Sequence, residues 1–177
     1  MKKTTWLILI VAALVIALDQ LSKYLVTTLL PLGGAWSPFP GENPVFRIIY
    51  IYNTGVAFGL LKDLGVVSVV IAVIVFGVIV VYSRKLHNDQ WFTCLALGLM
   101  LGGALGNVVD RLRLGHVIDF IDVGVGTTRW YTSNLADVSI VLGVILLGVA
   151  TLIDDRRDRK RSHPAEVQTP GAQTEIQ

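Results

Sequence analysis

What most limits the folds open to this chain is a set of four long apolar runs, at residues 6–30, 64–82, 91–109 and 134–153. A helix needs about 20 mainly apolar residues to cross a hydrocarbon core of ~30 Å, and each run is long enough. The run at 64–82 is rich in Val and Ile, which are mediocre helix formers in water. In lipid, however, the backbone must close its hydrogen bonds internally, and helix is the way for a single segment to do so. Charged residues make up only 16% of the chain and hydrophobic residues 53%, against roughly 25% charged in a soluble domain. The expected fold class is an all-α polytopic membrane protein. It has four transmembrane helices with a small β-containing extracytoplasmic loop. A single membrane-embedded domain over 1–153 is followed by a disordered cytoplasmic tail over 154–177.

The start of the chain, Lys2 and Lys3 before an apolar run, has the outline of a cleavable leader. No small-x-small cleavage site precedes Asp19, and apolar character resumes at Tyr24, so a retained helix is expected. Basic residues set the orientation. With the N-terminus inside, the inner segments hold nine Lys and Arg, and the longer outer loops hold five (Arg47, Lys62, Arg111, Arg113 and Arg129). Both termini are therefore expected in the cytoplasm. The first outer loop, 31–63, opens with Pro and Gly, continues as an aromatic and β-branched run over 45–52 that reads as a strand, turns at Asn53-Thr54-Gly55 and ends in an apolar piece over 56–61. It is too apolar to float free and is expected to lie on the membrane surface.

One cysteine, Cys94, excludes an intrachain disulfide, and the three histidines are scattered without metal-ligand spacing. No cofactor is expected. The basic run at 156–161 abuts an apolar segment instead of alternating with aromatics, which does not favour nucleic-acid binding.

Ionisable groups in a membrane span cost about 2.5–3.5 kcal/mol each on insertion scales, so each needs a partner or a purpose. Asp19 and Lys23 are four apart and share a helix face; they suit an anchoring ion pair or a support for a site. Gly98, Gly102 and Gly106, with Gly103 and Ala104 beside them, form a small-residue ridge for close helix packing. Asn107, Asp110 and Arg111 follow on one face at the outer end, where either a capping network or a polar site fits. Asp137 stands three residues after Asn134, the spacing of a capping box. Asp119 is flanked by apolar residues, whereas Asp122 reads as a surface charge.

Two carboxylates at one membrane depth, if close together, share a proton. One then acts as base toward water while the other polarises a carbonyl. That chemistry cleaves a peptide bond with neither a nucleophilic side chain nor a metal. The chain offers no competing Ser/His/Asp or Cys/His set at a matching depth. An ion or proton path would instead need polar groups through the full depth, and a scaffold built on the glycine ridge would need no acids.

These segments resemble the bacterial lipoprotein signal peptidases (signal peptidase II). The resemblance rests on Asp19-Gln20-Leu21-Ser22-Lys23, Asn53-Thr54-Gly55-Val56-Ala57-Phe58, the stretch from Gly102 through Asn107 and Asp110 to Arg111, Val117-Ile118-Asp119-Phe120, and Asn134-Leu135-Ala136-Asp137. It implies that Asp119 and Asp137 form a catalytic dyad. Asn107, Arg111 and Asn134 would line the substrate and inhibitor site, Asn53 would face it, and Asp19, Lys23 and Asp110 would support it. The implied substrates are prolipoproteins carrying a diacylglyceryl group on the cysteine after the cut. The implied setting is the bacterial inner membrane, with the site near the outer face, membrane lipids as neighbours and a single chain sufficing. The implied inhibitor is the cyclic peptide globomycin. One departure is Ser133, where the family usually has an aromatic.

Overall fold

A computed structural model describes residues 2–39, 41, 45–54, 64–83, 86–87 and 90–162. Among these lie four α-helices, α1 (Lys3–Leu29), α2 (Leu64–Ser83), α3 (Trp91–Leu114) and α4 (Leu135–Ser162), and four strands, β1 (Ala35–Trp36), β2 (Phe46–Asn53), β3 (Val117–Val125) and β4 (Thr128–Arg129). Three helical segments are long and apolar enough to cross a membrane: α1, α3 and the Leu135–Ile153 part of α4. The protein is thus mostly helical, with one small antiparallel sheet. The apolar piece expected over 56–61 lies outside the described residues, as does the tail from 163 onward.

α3 is the centre of the helical layer and packs on α1, α2 and α4. The glycines make this possible, and they serve two neighbours. A Cβ on Gly98 would stand 2.6 Å from Val11 Cβ, and one on Gly102 would stand 2.6 Å from Val15 Cβ, so this pair faces α1. A Cβ on Gly103 would overlap the Ala136 carbonyl of α4, and one on Gly106 would crowd the Asp19 carboxylate at 2.8 Å. Without a hydrophobic drive between helices in lipid, such close approach is how packing energy is obtained. Large apolar side chains such as Leu14, Leu18 and Leu142 stay on the outside.

The helices run further than the apolar runs suggest. α3 continues past 109 to Leu114, because Asp110 is buried against Lys23 and Gly115 (φ 77°) supplies the left-handed ending, its N–H bonded to Arg111 O at 3.0 Å. Arg111 and Arg113 in the last turn suit the helix dipole. α4 continues to Ser162, so the tail expected from 154 starts as helix.

The α1–α2 and α3–α4 connections join as one sheet in the order β1-β2-β3-β4. The strand read at 45–52 is β2, and the stretch at 117–125, read only as loop, is its partner. Ile48 pairs with Ile121 but Ile51 pairs with Asp119, so three residues of β2 span two of β3 in a β-bulge. β3 turns into β4 at Gly126 (φ 59°) and Thr127, and an isolated bridge from Ile121 to Ser133 ties the chain down before α4.

Gly103→Ala is expected to destabilise the protein by about 1–3 kcal/mol through overpacking against α4. Gly77→Ala, where nothing lies within 4 Å of the added carbon, is expected to be neutral or slightly stabilising. Thermal unfolding of the two variants in detergent compares them directly.

Candidate active site

The site begins with a buried ion cluster. Lys23 Nζ lies 2.8 Å from Asp19 Oδ2 and 2.7 Å from Asp110 Oδ2, and all three side chains are 2% exposed or less. Buried charges survive only when their remaining hydrogen-bond capacity is filled. Here Asp19 Oδ1 accepts the Ala136 N–H at 3.0 Å, and Gln20 Nε2 donates to Asp110 Oδ1 at 2.8 Å. The Ile118 N–H reaches Asp110 Oδ2 at 3.3 Å. One cluster therefore fixes α1, α3, the start of α4 and the start of β3 against one another.

From this cluster a line of amides leads to two carboxylates. Lys23 Nζ also donates to Asn107 Oδ1 at 3.2 Å, and Asn107 Nδ2 donates to Asp137 Oδ1 at 2.7 Å. Asn134 Nδ2 donates to Asn107 Oδ1 at 3.2 Å and to Asp119 Oδ1 at 2.7 Å. Asn53 Nδ2, from the end of β2, donates to Asp119 Oδ2 at 2.7 Å and also to the Tyr131 hydroxyl. The capping spacing is also realised, since Asn134 Oδ1 accepts the Asp137 N–H at 3.0 Å. The Asp137 carboxylate, instead of closing a capping box, turns to Asn107.

Asp119 is 1% exposed. Burial pushes its carboxyl up to about 6; the Asp137 charge adds to the rise, and the amides of Asn53 and Asn134 together with Lys23 oppose it. Asp137 lies on a cleft of about 530 Å³ whose wall also includes Asn53, Arg111, Trp130, Tyr131 and Ser133. Val138, Val141 and Leu142 continue that cleft along α4, onto a face where Val141 and Leu142 are exposed. The arrangement offers a polar end with two acids and an apolar run into the membrane. The residues expected at the site or in its support (Asp19, Lys23, Asn53, Asn107, Asp110, Arg111, Asp119, Asn134 and Asp137) all lie on this network or its cleft, Arg111 through a 3.4 Å bond from Nη1 to Asn107 O. Among the described residues, no cluster of three or more His, Cys, Asp or Glu side chains is placed to hold a metal.

The family model for Signal peptidase (SPase) II matches residues 11–153. The chain belongs to the signal peptidase II family. It is 44% identical over 139 residues to the lipoprotein signal peptidase of Moorella thermoacetica, covering 78% of this chain and 88% of that one. It is 40% identical over 145 residues to that of Geobacter sulfurreducens, covering 80% and 89%. Among solved structures, a bacterial membrane enzyme determined in meso at 1.9 Å superposes with a TM-score of 0.70 at 31% identity, covering 82% of this chain and 92% of that one. A second, at 2.3 Å, gives 0.69 at 28% identity over 96% and 94%.

Within this signal peptidase II family member, some contacts were not foreseen. Gln20 binds both acids of the ion cluster, and Trp130 and Tyr131 form the outer lip of the cleft. A Trp-Tyr pair between a β-turn and a helix cap is a signal for such a lip, but only once the turn is known. Asp122, read as a surface charge, is instead 1% exposed, because arginines from both flanking strands cover it. Ser133 is held by its backbone: its carbonyl accepts the N–H groups of Phe120 and Ile121 at 2.9 and 2.8 Å.

An acid whose pKa is raised from 3.8 to about 6 on folding lowers stability by up to about 3 kcal/mol where it is ionised in both states. That cost is present above the folded value and fades as the pH falls through it toward the unfolded value. Asp119→Asn is thus expected to melt above wild type near about pH 8, with the gap roughly halved near about pH 5. Unfolding curves in detergent at both pH values check this, and a gap independent of pH would refute the burial cost.

Proposed function

We propose that this protein is an intramembrane aspartic endopeptidase. It removes the signal peptide from diacylglyceryl-modified prolipoproteins by cutting before the lipidated cysteine. The observation that carries the reading is the amide line that joins Asp119 to Asp137, with Asp137 opening on the cleft. The names of the relatives, lipoprotein signal peptidases, give the substrate class.

Asp119 and Asp137 act as a dyad that holds one proton between them. Its ionised member takes a proton from water as the water oxygen bonds to the scissile carbonyl carbon. Its protonated member gives its proton to the carbonyl oxygen. The resulting tetrahedral intermediate collapses as the acid that took the water's proton gives it to the amide nitrogen, the C–N bond breaks, and a hydroxyl of the intermediate returns its proton to the other carboxylate. A pKa near 6 for Asp119 keeps both protonation states within reach at neutral pH. Asn107 and Asn134 orient the carboxylates without adding charge. Arg111, at the cleft wall, faces substrate backbone. Asn53 holds Asp119 from the sheet side. Lys23, Asp19 and Asp110 support the whole.

The apolar extension along Val138, Val141 and Leu142 suits a substrate that sits in the bilayer. In this reading 1–153 is one membrane-embedded domain with α2 as a fourth crossing. Both termini are cytoplasmic, the site lies near the outer face of the bacterial inner membrane, and one chain is sufficient. Globomycin inhibits by occupying the cleft.

Purified protein is expected to cleave a diacylglyceryl-modified prolipoprotein. Asp119→Asn and Asp137→Asn are each expected to lower kcat by about a thousandfold or more while remaining folded. If wild type cuts and both variants keep near-normal kcat, the dyad mechanism is wrong. If folded wild type does not cut, the peptidase reading itself falls.

A further inference from the structure

Asp122 is not used by the chemistry above, yet it is one of the most deeply buried side chains, at 1% exposure. Two arginines reach it. Arg47 of β2, directly opposite in register, bonds Asp122 Oδ2 through Nε. Arg129 of β4 places Nη2 2.8 Å from Oδ2 and Nε 3.2 Å from the same oxygen. The same Arg129 Nη2 also bonds the Asp122 backbone carbonyl at 3.2 Å. Burial alone would raise the acid's pKa, but Arg129 and Arg47 outweigh it and hold the carboxyl below its ordinary value.

Arg129 pairs across from Gly124 in the hairpin, so to reach Asp122 its side chain must lie back across Gly124. The glycine leaves room for that: an added Cβ there would stand 2.9 Å from Arg129 Cα and 2.9 Å from its Cδ. The next residues in the chain are Trp130, whose N–H bonds Val123 O at 2.8 Å, and Tyr131. These are two of the cleft's walls, and both are largely exposed, so the hairpin, with the Asn53 amide on the Tyr131 hydroxyl, is what holds them.

We propose that Asp122, gripping Arg47 and Arg129 over Gly124, is a positioning residue that sets the Trp130–Tyr131 lip of the cleft and thereby governs substrate capture, not the chemical step. The inference rests on the peptidase reading for its substrate and on geometry for the clamp. Asp122 and Asp119 are three residues apart on one strand, an odd spacing that sends them to opposite faces. The clamp can therefore loosen without placing a new charge beside the dyad.

The test uses the purified full-length chain in detergent and a diacylglyceryl-modified prolipoprotein. Asp122→Asn and Arg129→Gln are each expected to raise KM about tenfold with kcat within about twofold. Because both act through one clamp, the double variant should be no worse than either single, where independent sites would multiply to about a hundredfold. Arg129→Lys, which keeps the charge but loses the fork, should fall between wild type and Arg129→Gln. Effects that multiply, a fall in kcat with KM unchanged, or no change in either constant would each overturn the proposal. If Asp122→Asn does not fold, Gly124→Ala and Arg129→Lys leave every charge in place, and each should raise KM.

Hydrogen exchange without substrate separates this proposal from the peptidase reading. Arg129→Gln should speed amide exchange over 123–131 and leave α3 and α4 unchanged. Unchanged exchange over 123–131 refutes the clamp even if the protein cuts, and faster exchange there sustains it even if the protein does not.

Discussion

One ammonium group holds this molecule in register. Lys23 sits between Asp19 and Asp110 in a place with almost no exposure, and hydrophobic association cannot hold helices together in a lipid solvent. Removing one member of a buried ionic group costs about 3–5 kcal/mol, because the partners are left charged and unpaired. The cluster also takes backbone N–H groups from Ala136 and Ile118. It therefore fixes both the start of α4, which carries Asp137, and the start of β3, which carries Asp119. The two acids of the proposed dyad thus come from different elements that are brought to a common level by a second pair of acids, Asp19 and Asp110.

Between that cluster and the pair Asp119 and Asp137 stand neutral amides, and their neutrality matters. A cation in direct contact with either acid would hold it ionised and make the proposed proton sharing costly. Asn107 accepts from Lys23 on its oxygen and donates to Asp137 from its nitrogen, so position is passed on while the charge is kept one side chain away. Asn134 repeats the arrangement toward Asp119 and at the same time caps its own helix. One side chain, Asn134, thus both caps α4 and joins the polar network.

The helices, and the polar side chains that gather into one network, were largely legible in the sequence. Apolar runs and isolated polar residues inside them are strong signals, because lipid tolerates few unpaired groups. The glycines at four-residue spacing announced a tight helix interface, but not that Gly98 and Gly102 face α1 while Gly103 faces α4. The sheet was only half legible. β2 has the aromatic and β-branched character of a strand, whereas β3 holds two acids and a glycine, and its pairing depends on residues about 70 positions earlier. Asp122 was misread for the same reason. Burial of an acid beside arginines is a tertiary fact, and neither Arg47 nor Arg129 is close enough in sequence to advertise it.

The bulge in β2 makes the strand a matter of parity. Arg47 and Asn53 are six residues apart, and in a uniform pleat they would point the same way. Their targets, Asp122 and Asp119, point in opposite directions, and the one extra residue between Ile48 and Ile51 reconciles the two counts. A single-residue deletion there would leave hydrogen-bonded strands but bring the guanidinium of Arg47 round to the side of Asp119. Along this strand the count of residues between Arg47 and Asn53 matters as much as their identity.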